Sequence, residues 1–288
     1  MFSRSSKHLS FATTFVLVCF PFWNQFFSLE GVPLSFHTVL KRNKKETMLT
    51  EAQLKFTESV QAALQNGLDN KAFHYDHDYE LDSVPAAIKA LRPVAEVLHI
   101  DNNFRLKEIH PGVGDLSLLR WLNVSYNKLE EIPVEVARLA RLDRLYISNN
   151  ELAFLPLELW ALKNLEELRL DSNKLRALPT YVLFLPKLRE LLIENNPLLT
   201  PTEVDGAETA LLFPPQRVGD CASCSIRFAY NSICFLTFHD VCGHKSLPIV
   251  HYVCSERCKE QLQERLNHYD VQLKRTEEEY NSPLRARD

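Results

Sequence analysis

Leu119-Arg-Trp-Leu122-Asn-Val124-Ser-Tyr-Asn127-Lys-Leu129-Glu-Glu-Ile132-Pro133 returns 23 residues later as Leu142-Asp-Arg-Leu145-Tyr-Ile147-Ser-Asn-Asn150-Glu-Leu152-Ala-Phe-Leu155-Pro156. The same positions recur as Leu165, Leu168, Leu170, Asn173, Leu175, Leu178 and Pro179, and then as Leu188, Leu191, Ile193, Asn196 and Leu198. An earlier copy has Leu98, Ile100, Asn103, Leu106 and Ile109, with one extra residue before Leu106. Upstream, Leu81, Val84, Pro85, Ile88 and Leu91 read as the back half of a degenerate first turn. Self-similarity at a fixed period of this size marks an array of stacked coils.

The chemistry of each position follows from its place in a coil. A leucine, any residue, then a leucine makes a short strand whose alternate side chains point inward. Asn turns the chain and carries both a donor and an acceptor for backbone groups that would otherwise be buried unpaired. The Leu-Pro pair and the apolar residues after it fill the space behind the strand. One coil cannot bury this face alone, so stability comes from its neighbours. The leucines and asparagines are therefore structural. No Ser-His-Asp set, phosphate loop or paired carboxylates accompany them, and no enzyme is expected.

Over about residues 72–201 the register resembles the leucine-rich repeat family, in its roughly 23-residue intracellular form. The resemblance implies an α/β solenoid whose Asn side chains ladder between coils. Both ends of a solenoid need covers. Over 48–71 the sequence predicts a cap helix at 50–66: Thr50 and Gln53 fit a capping box, Leu54, Val60, Ala63 and Leu64 share a face, and Gly67 suits the stop. The far end is expected to close over 202–220, with a short segment Glu208–Phe213 before Pro214-Pro215.

What remains for function on the solenoid is the solvent side of its sheet. The positions read there are His99 and Asp101, then Trp121, Asn123 and Ser125, then Arg144, Tyr146 and Ser148. Glu167, Arg169 and Asp171 come next, followed by Leu192 and Glu194. Trp, Tyr and Arg are over-represented at binding hot spots. Trp121, Arg144, Tyr146 and Arg169 are thus the candidate partner-binding residues, and other proteins the candidate partners.

Six of the seven cysteines lie between 221 and 258, spaced as C-x2-C and C-x3-C. That is metal spacing rather than a disulfide framework. Cys221, Cys224, Cys254 and Cys258 are the candidate ligands of one structural zinc, in a treble-clef-like module over 221–288 ordered as knuckle, hairpin and helix. Two strand-like stretches, about Ile226–Tyr230 and Ile233–Phe238, supply the hairpin in this reading. Cys242 and His244 either replace a ligand or form a tight turn, while Cys234 reads as a buried apolar thiol. The last helix, 259–280, puts Leu262, Leu266, Tyr269, Leu273 and Tyr280 on one seam. That seam is expected to pack on the module or the last repeat. The stretch Phe238–Pro248 with Tyr252–Cys258 resembles the tail of the leucine-rich repeat-containing protein 58 group. That resemblance implies an intracellular adaptor, with substrate recruitment to a ubiquitin ligase as one job.

Charge separates the function classes. The net charge is −4 over 288 residues, but residues 1–47 carry six Lys/Arg against two acids, which leaves −8 for the rest. A body this acidic, with no basic stripe in its cysteine segment, is poorly suited to phosphate backbones. A zinc-finger nucleic-acid binder on a repeat platform is the alternative to the adaptor. Within 1–47, Phe11 to Trp23 has the length of a signal-peptide core and is too short for a membrane span. Pro21 and the basic KRNKK at 41–45 argue instead for an extension ahead of Met48. The address expected is cytoplasmic, the alternative the secretory pathway.

Overall fold

The computed structural model describes residues 49–204, 218–229 and 232–281. The expectations for 1–47 and for Glu208–Phe213 lie outside the described residues. The described residues pack as one compact unit.

Each coil contributes one three-residue strand to a parallel six-stranded sheet: β1 (Ala72–His74), β3 (Val97–His99), β5 (Trp121–Asn123), β6 (Arg144–Tyr146), β7 (Glu167–Arg169) and β9 (Glu190–Leu192). The register is unbroken: Phe73, Leu98, Leu122, Leu145, Leu168 and Leu191 stand side by side and are all buried. β1 adds a strand that the irregular start of the repeats did not reveal. Short 3-10 turns such as Val134–Arg138 and Leu157–Ala161 bring each coil back behind the sheet. On that return side, β2 (Ser83–Val84) pairs with β4 (Glu108–Ile109).

The asparagines are spent on the turn. Asn150 donates to the carbonyls of Val124, in the coil before, and Ile147, in its own, at 3.0 and 3.1 Å. Its Oδ1 accepts from the Leu129 amide at 3.0 Å. Asn127, Asn173 and Asn196 repeat the double donation. These amides, buried at Asn127, Asn150 and Asn173, pair backbone that neither strand nor helix could satisfy, which is why the position takes Asn and not a mere turn former.

Helix α1 (Glu51–Asn66) begins at Thr50 with both halves of a capping box. It buries Ala52, Phe56 and Val60 in the same core as the repeats, and Phe56 meets the rings of Phe73 and Tyr75 edge-on. Of the face read from sequence, Val60 is buried, Leu54 and Ala63 are half-buried and Leu64 is exposed; Phe56, which that reading left out, is fully buried. Phe56 packs beside the first strand, on Phe73.

At the other end, β8 (Leu178–Pro179) and the short helix α2 (Pro201–Val204) precede the cysteine segment. There, β10 (Val218–Asp220) pairs with β11 (Arg227–Ala229) in a small knuckle. A long hairpin follows, β12 (Ile233–Val241) against β13 (His244–Val253), and then helix α3 (Glu256–Asn281). The hairpin is therefore 233–253, not 226–238 as the sequence suggested. Its turn, Cys242-Gly243, has positive φ at both positions (48° and 85°), the geometry that two-residue hairpins favour.

The hairpin is fused to the solenoid. β13 runs parallel to β8, with Ile249 opposite Leu178 and Val250 opposite Pro179. Leu262 and Leu266 of α3 are buried, and Tyr269 meets Phe184 of the last coil and His239 of β12. The described part of the α3 seam packs back on hairpin and repeat.

Candidate functional site

Two constellations stand out, one on the open face of the sheet and one where knuckle, hairpin and α3 meet.

On the sheet, strand register puts Trp121, Arg144 and Glu167 in one column and Asn123, Tyr146 and Arg169 in the next. The four residues singled out from sequence therefore come together. The Trp121 and Tyr146 rings meet edge-on at 5.4 Å. The Arg144 guanidinium lies 5.3 Å from the centre of the Trp121 ring, and that of Arg169 lies 4.2 Å from the centre of Tyr146. Glu167 orders the group: Arg144 Nε donates to it at 3.2 Å and the Tyr146 hydroxyl donates to its other oxygen. Arg169 continues the line to Glu190 at 2.9 Å. Burial, the Glu167 hydrogen bond and its charge push the Tyr146 hydroxyl up to about 12, so it stays a donor. Trp121 is half-buried, not fully exposed.

Sequence reading missed how far this stack extends. His99 meets Trp121 at 4.6 Å, and His74 meets His99 at 4.7 Å, so four rings run from β1 to β6. His99 was in view as a strand position; His74 was not, because β1 carries no leucine of the repeat. Burial, aided by the His74 charge, holds the His99 imidazole below the usual histidine range. Trp121 Nε1, His99 Nε2 and Arg169 Nε are buried without a hydrogen-bond partner.

The second constellation is built by chain ends. Cys221 follows β10, Cys224 closes the knuckle turn, Cys254 follows β13 directly, and Cys258 sits in the first turn of α3. Their sulfurs all lie within 4.8 Å of one another, and the four could hold a metal ion. Cys224 and Cys254 are 3.7 Å apart, Cys254 and Cys258 3.6 Å. Four thiolates at about 2.3 Å from a tetrahedral zinc stand about 3.8 Å apart, whereas a disulfide needs about 2.05 Å. The spacing is that of ligands, not of a bridge.

Backbone amides favour thiolate at Cys221. Burial alone would raise Cys221, but amides of Cys224, Cys254 and Ser223 outweigh it and bring the thiol down to about 7. Cys254 is pushed up to about 12, first by its hydrogen bond with Cys258 and then by burial. Thiolates crowded without a cation oppose one another; a divalent ion removes that opposition. Arg265 of α3 donates to the Ser223 carbonyl at 3.2 Å and ties helix to knuckle.

Cys242 and His244 sit elsewhere, at the hairpin turn. His244 Nε2 bonds the Leu191 carbonyl of β9 at 2.7 Å, and Cys242 Sγ is 4.0 Å from the Leu188 carbonyl. Of the two readings left open for this pair, the structure shows the tight turn. Cys234, on β12, has its thiol pushed up to about 11 by burial.

The comparisons with known proteins bear on the sheet. Residues 93–152 match the leucine rich repeat family model. Among solved structures the chain is similar to a leucine-rich repeat protein of Leptospira interrogans, with 27% identity over 43% of this chain and 38% of that one (TM-score 0.35). It is also similar to an internalin of Listeria monocytogenes, with 19% identity over 45% and 42% (TM-score 0.36). The repeat ectodomain of the Arabidopsis receptor kinase HAESA, in complex with a peptide hormone, shows 25% identity over 40% and 20% (TM-score 0.36). The match thus spans less than half the length of each of these structures. No curated protein matches the chain. Among the described residues, no helix is long and apolar enough to cross a membrane.

Proposed function

We propose that this chain is a non-catalytic protein-interaction adaptor that recognises its partner on the open face of the leucine-rich repeats. The observation that carries this reading is the ordered stack of Trp121, Arg144, Tyr146 and Arg169 on three adjacent strands. Ring and guanidinium hold each other in place, so a partner meets large planar groups whose side-chain entropy is already spent. Recruitment of the bound protein to a ubiquitin ligase is the finer role, supported by the tail's resemblance to the leucine-rich repeat-containing protein 58 group. The four thiols hold one structural zinc, with no coordination position left for water. A reduced four-thiol centre suits the cytoplasm.

Two measurements test the reading. Affinity enrichment of the full chain, read by mass spectrometry, should return a protein that is lost from both Trp121→Ala and Arg144→Ala chains that still melt cooperatively. Retention of every enriched protein by both variants would remove the repeat face from the account. Elemental analysis of protein purified without added metal should give close to one zinc per chain; a value near zero with reduced thiols and a folded tail would remove the ion.

A further inference from the structure

The hairpin joins the two constellations. Its open end is covalently next to the thiols, since Cys254 follows Val253 directly. Its turn end lies against β9, the last strand of the sheet that carries the recognition face. In between, the antiparallel register runs from Ile233 opposite Val253 to Val241 opposite His244. Ten residues of strand at about 3.3 Å each make a strut of about 30 Å.

The strut is pinned along its length by buried polar contacts. One proton order is consistent with these four contacts. His239 Nε2–H donates to Thr237 Oγ1 at 2.7 Å, whose own hydrogen goes to His251 Nε2 at 2.6 Å. His251 Nδ1–H then donates to Thr180 Oγ1 at 2.9 Å, whose hydrogen goes to the Val250 carbonyl at 3.2 Å. Thr180 belongs to the last coil, so this chain crosses from solenoid to hairpin. At the thiol end the Ala222 amide donates to the Tyr252 carbonyl and the Cys254 amide to Cys221 Sγ. Among the described residues, the knuckle thus meets β13 at the cysteine centre and the backbone beside it.

We propose that the metal at Cys221, Cys224, Cys254 and Cys258 is the clasp that keeps the hairpin seated on the solenoid, so that metal loading controls closure of the last coil and with it the β9 edge of the recognition face. This rests on the metal reading above. The ion fixes the knuckle and the start of α3 to the end of β13. With both ends held, His244 caps the Leu191 carbonyl and β9 is shielded on its outer edge. With the thiol end released, the hairpin keeps the Thr180–His251 contacts, the short β8 pairing and its buried Leu247, Ile249 and Val250, and the turn, where Cys242 and Gly243 are exposed and His244 half-buried, is the part that leaves β9. Arg169 bridges β7 to Glu190 of β9, so loosening β9 reaches the partner-binding stack.

The test uses the full chain, zinc-loaded and then stripped by chelator under reducing conditions, with hydrogen exchange read by mass spectrometry. Stripping should speed exchange in peptides covering 188–193 by about tenfold or more, while the coils at 121–147 change little. His244→Ala, with its zinc content intact, should speed exchange over 188–193 in the same way, because it removes the contact at the turn and leaves the thiols alone. Unchanged protection of 188–193 after zinc is removed, with 218–229 exchanging freely, overturns the clasp while the metal reading stands. A chain that binds no zinc overturns both.

Discussion

At the level of single residues, buried His251 sets a pH dependence whose sign can be worked out. Burial, reinforced by His239, pushes His251 down to about 3, so it is neutral in the folded protein. Its unfolded value is about 6.5, so below that pH the unfolded chain binds the extra proton. Stability from this site is complete above pH 6.5 and is lost as pH falls from there towards 3, by up to about 1.4 kcal/mol per unit. Denaturant midpoints measured from pH 7 to 5 should fall accordingly. A flat profile would mean that His251 is not held neutral inside. Asn150 makes a sharper case. Asn150→Ala leaves the Val124 and Ile147 carbonyls and the Leu129 amide without partners, and should cost about 3 kcal/mol. Asn196, half-buried at the end of the ladder, should cost about 1 when changed to Ala. Equal losses at the two positions would argue that the ladder gains nothing from burial. These residues were legible in the sequence because a period of 23 repeated them. The His74–His99 extension was not, since no repeat position demands an imidazole.

At the level of elements, what could be read depended on whether a pattern had a period. Strands β5, β6, β7 and β9 fall where the leucines put them. Helix α1 was visible through Thr50 and Gln53, and Val60 of its expected face is buried, but that reading left out Phe56, which packs on Phe73 and Tyr75, and included Leu64, which is exposed. Phe56→Ala should therefore destabilise the chain by about 3–5 kcal/mol in a denaturant melt, and Leu64→Ala by under 1. Comparable losses for the two would restore the face inferred from sequence. Strand β13 went unseen for two physical reasons. Leu247 to Val253 is buried on both sides, which removes the alternation that marks a half-exposed strand, and Pro248 ordinarily argues against a strand interior. The salt bridges that join coils 23 residues apart, such as Arg120–Asp143 and Lys174–Glu151, lie on exposed edges and add little to stability.

At the level of the whole molecule, the cysteine segment is the solenoid's far wall. Ile249 and Val250 pair with the solenoid's own strand, and Leu262 and Leu266 share its core. Deleting 232–288 should lower the melting temperature of the repeats themselves, since it uncovers β8 and the Thr180 hydroxyl. Repeats that melt as in the full chain after this deletion would mean that the hairpin is an independent module. The central claim concerns the sheet, and titration calorimetry with the purified partner tests it most directly. A true hot-spot truncation costs about 2 kcal/mol or more, roughly thirtyfold in affinity. Trp121→Ala and Arg169→Ala should each weaken binding by at least that factor, while Ile226→Ala, on the exposed knuckle, should bind as the wild type does. Normal binding by both sheet variants, with loss in Ile226→Ala, would contradict the account and move recognition from the repeats to the thiol-bearing tail.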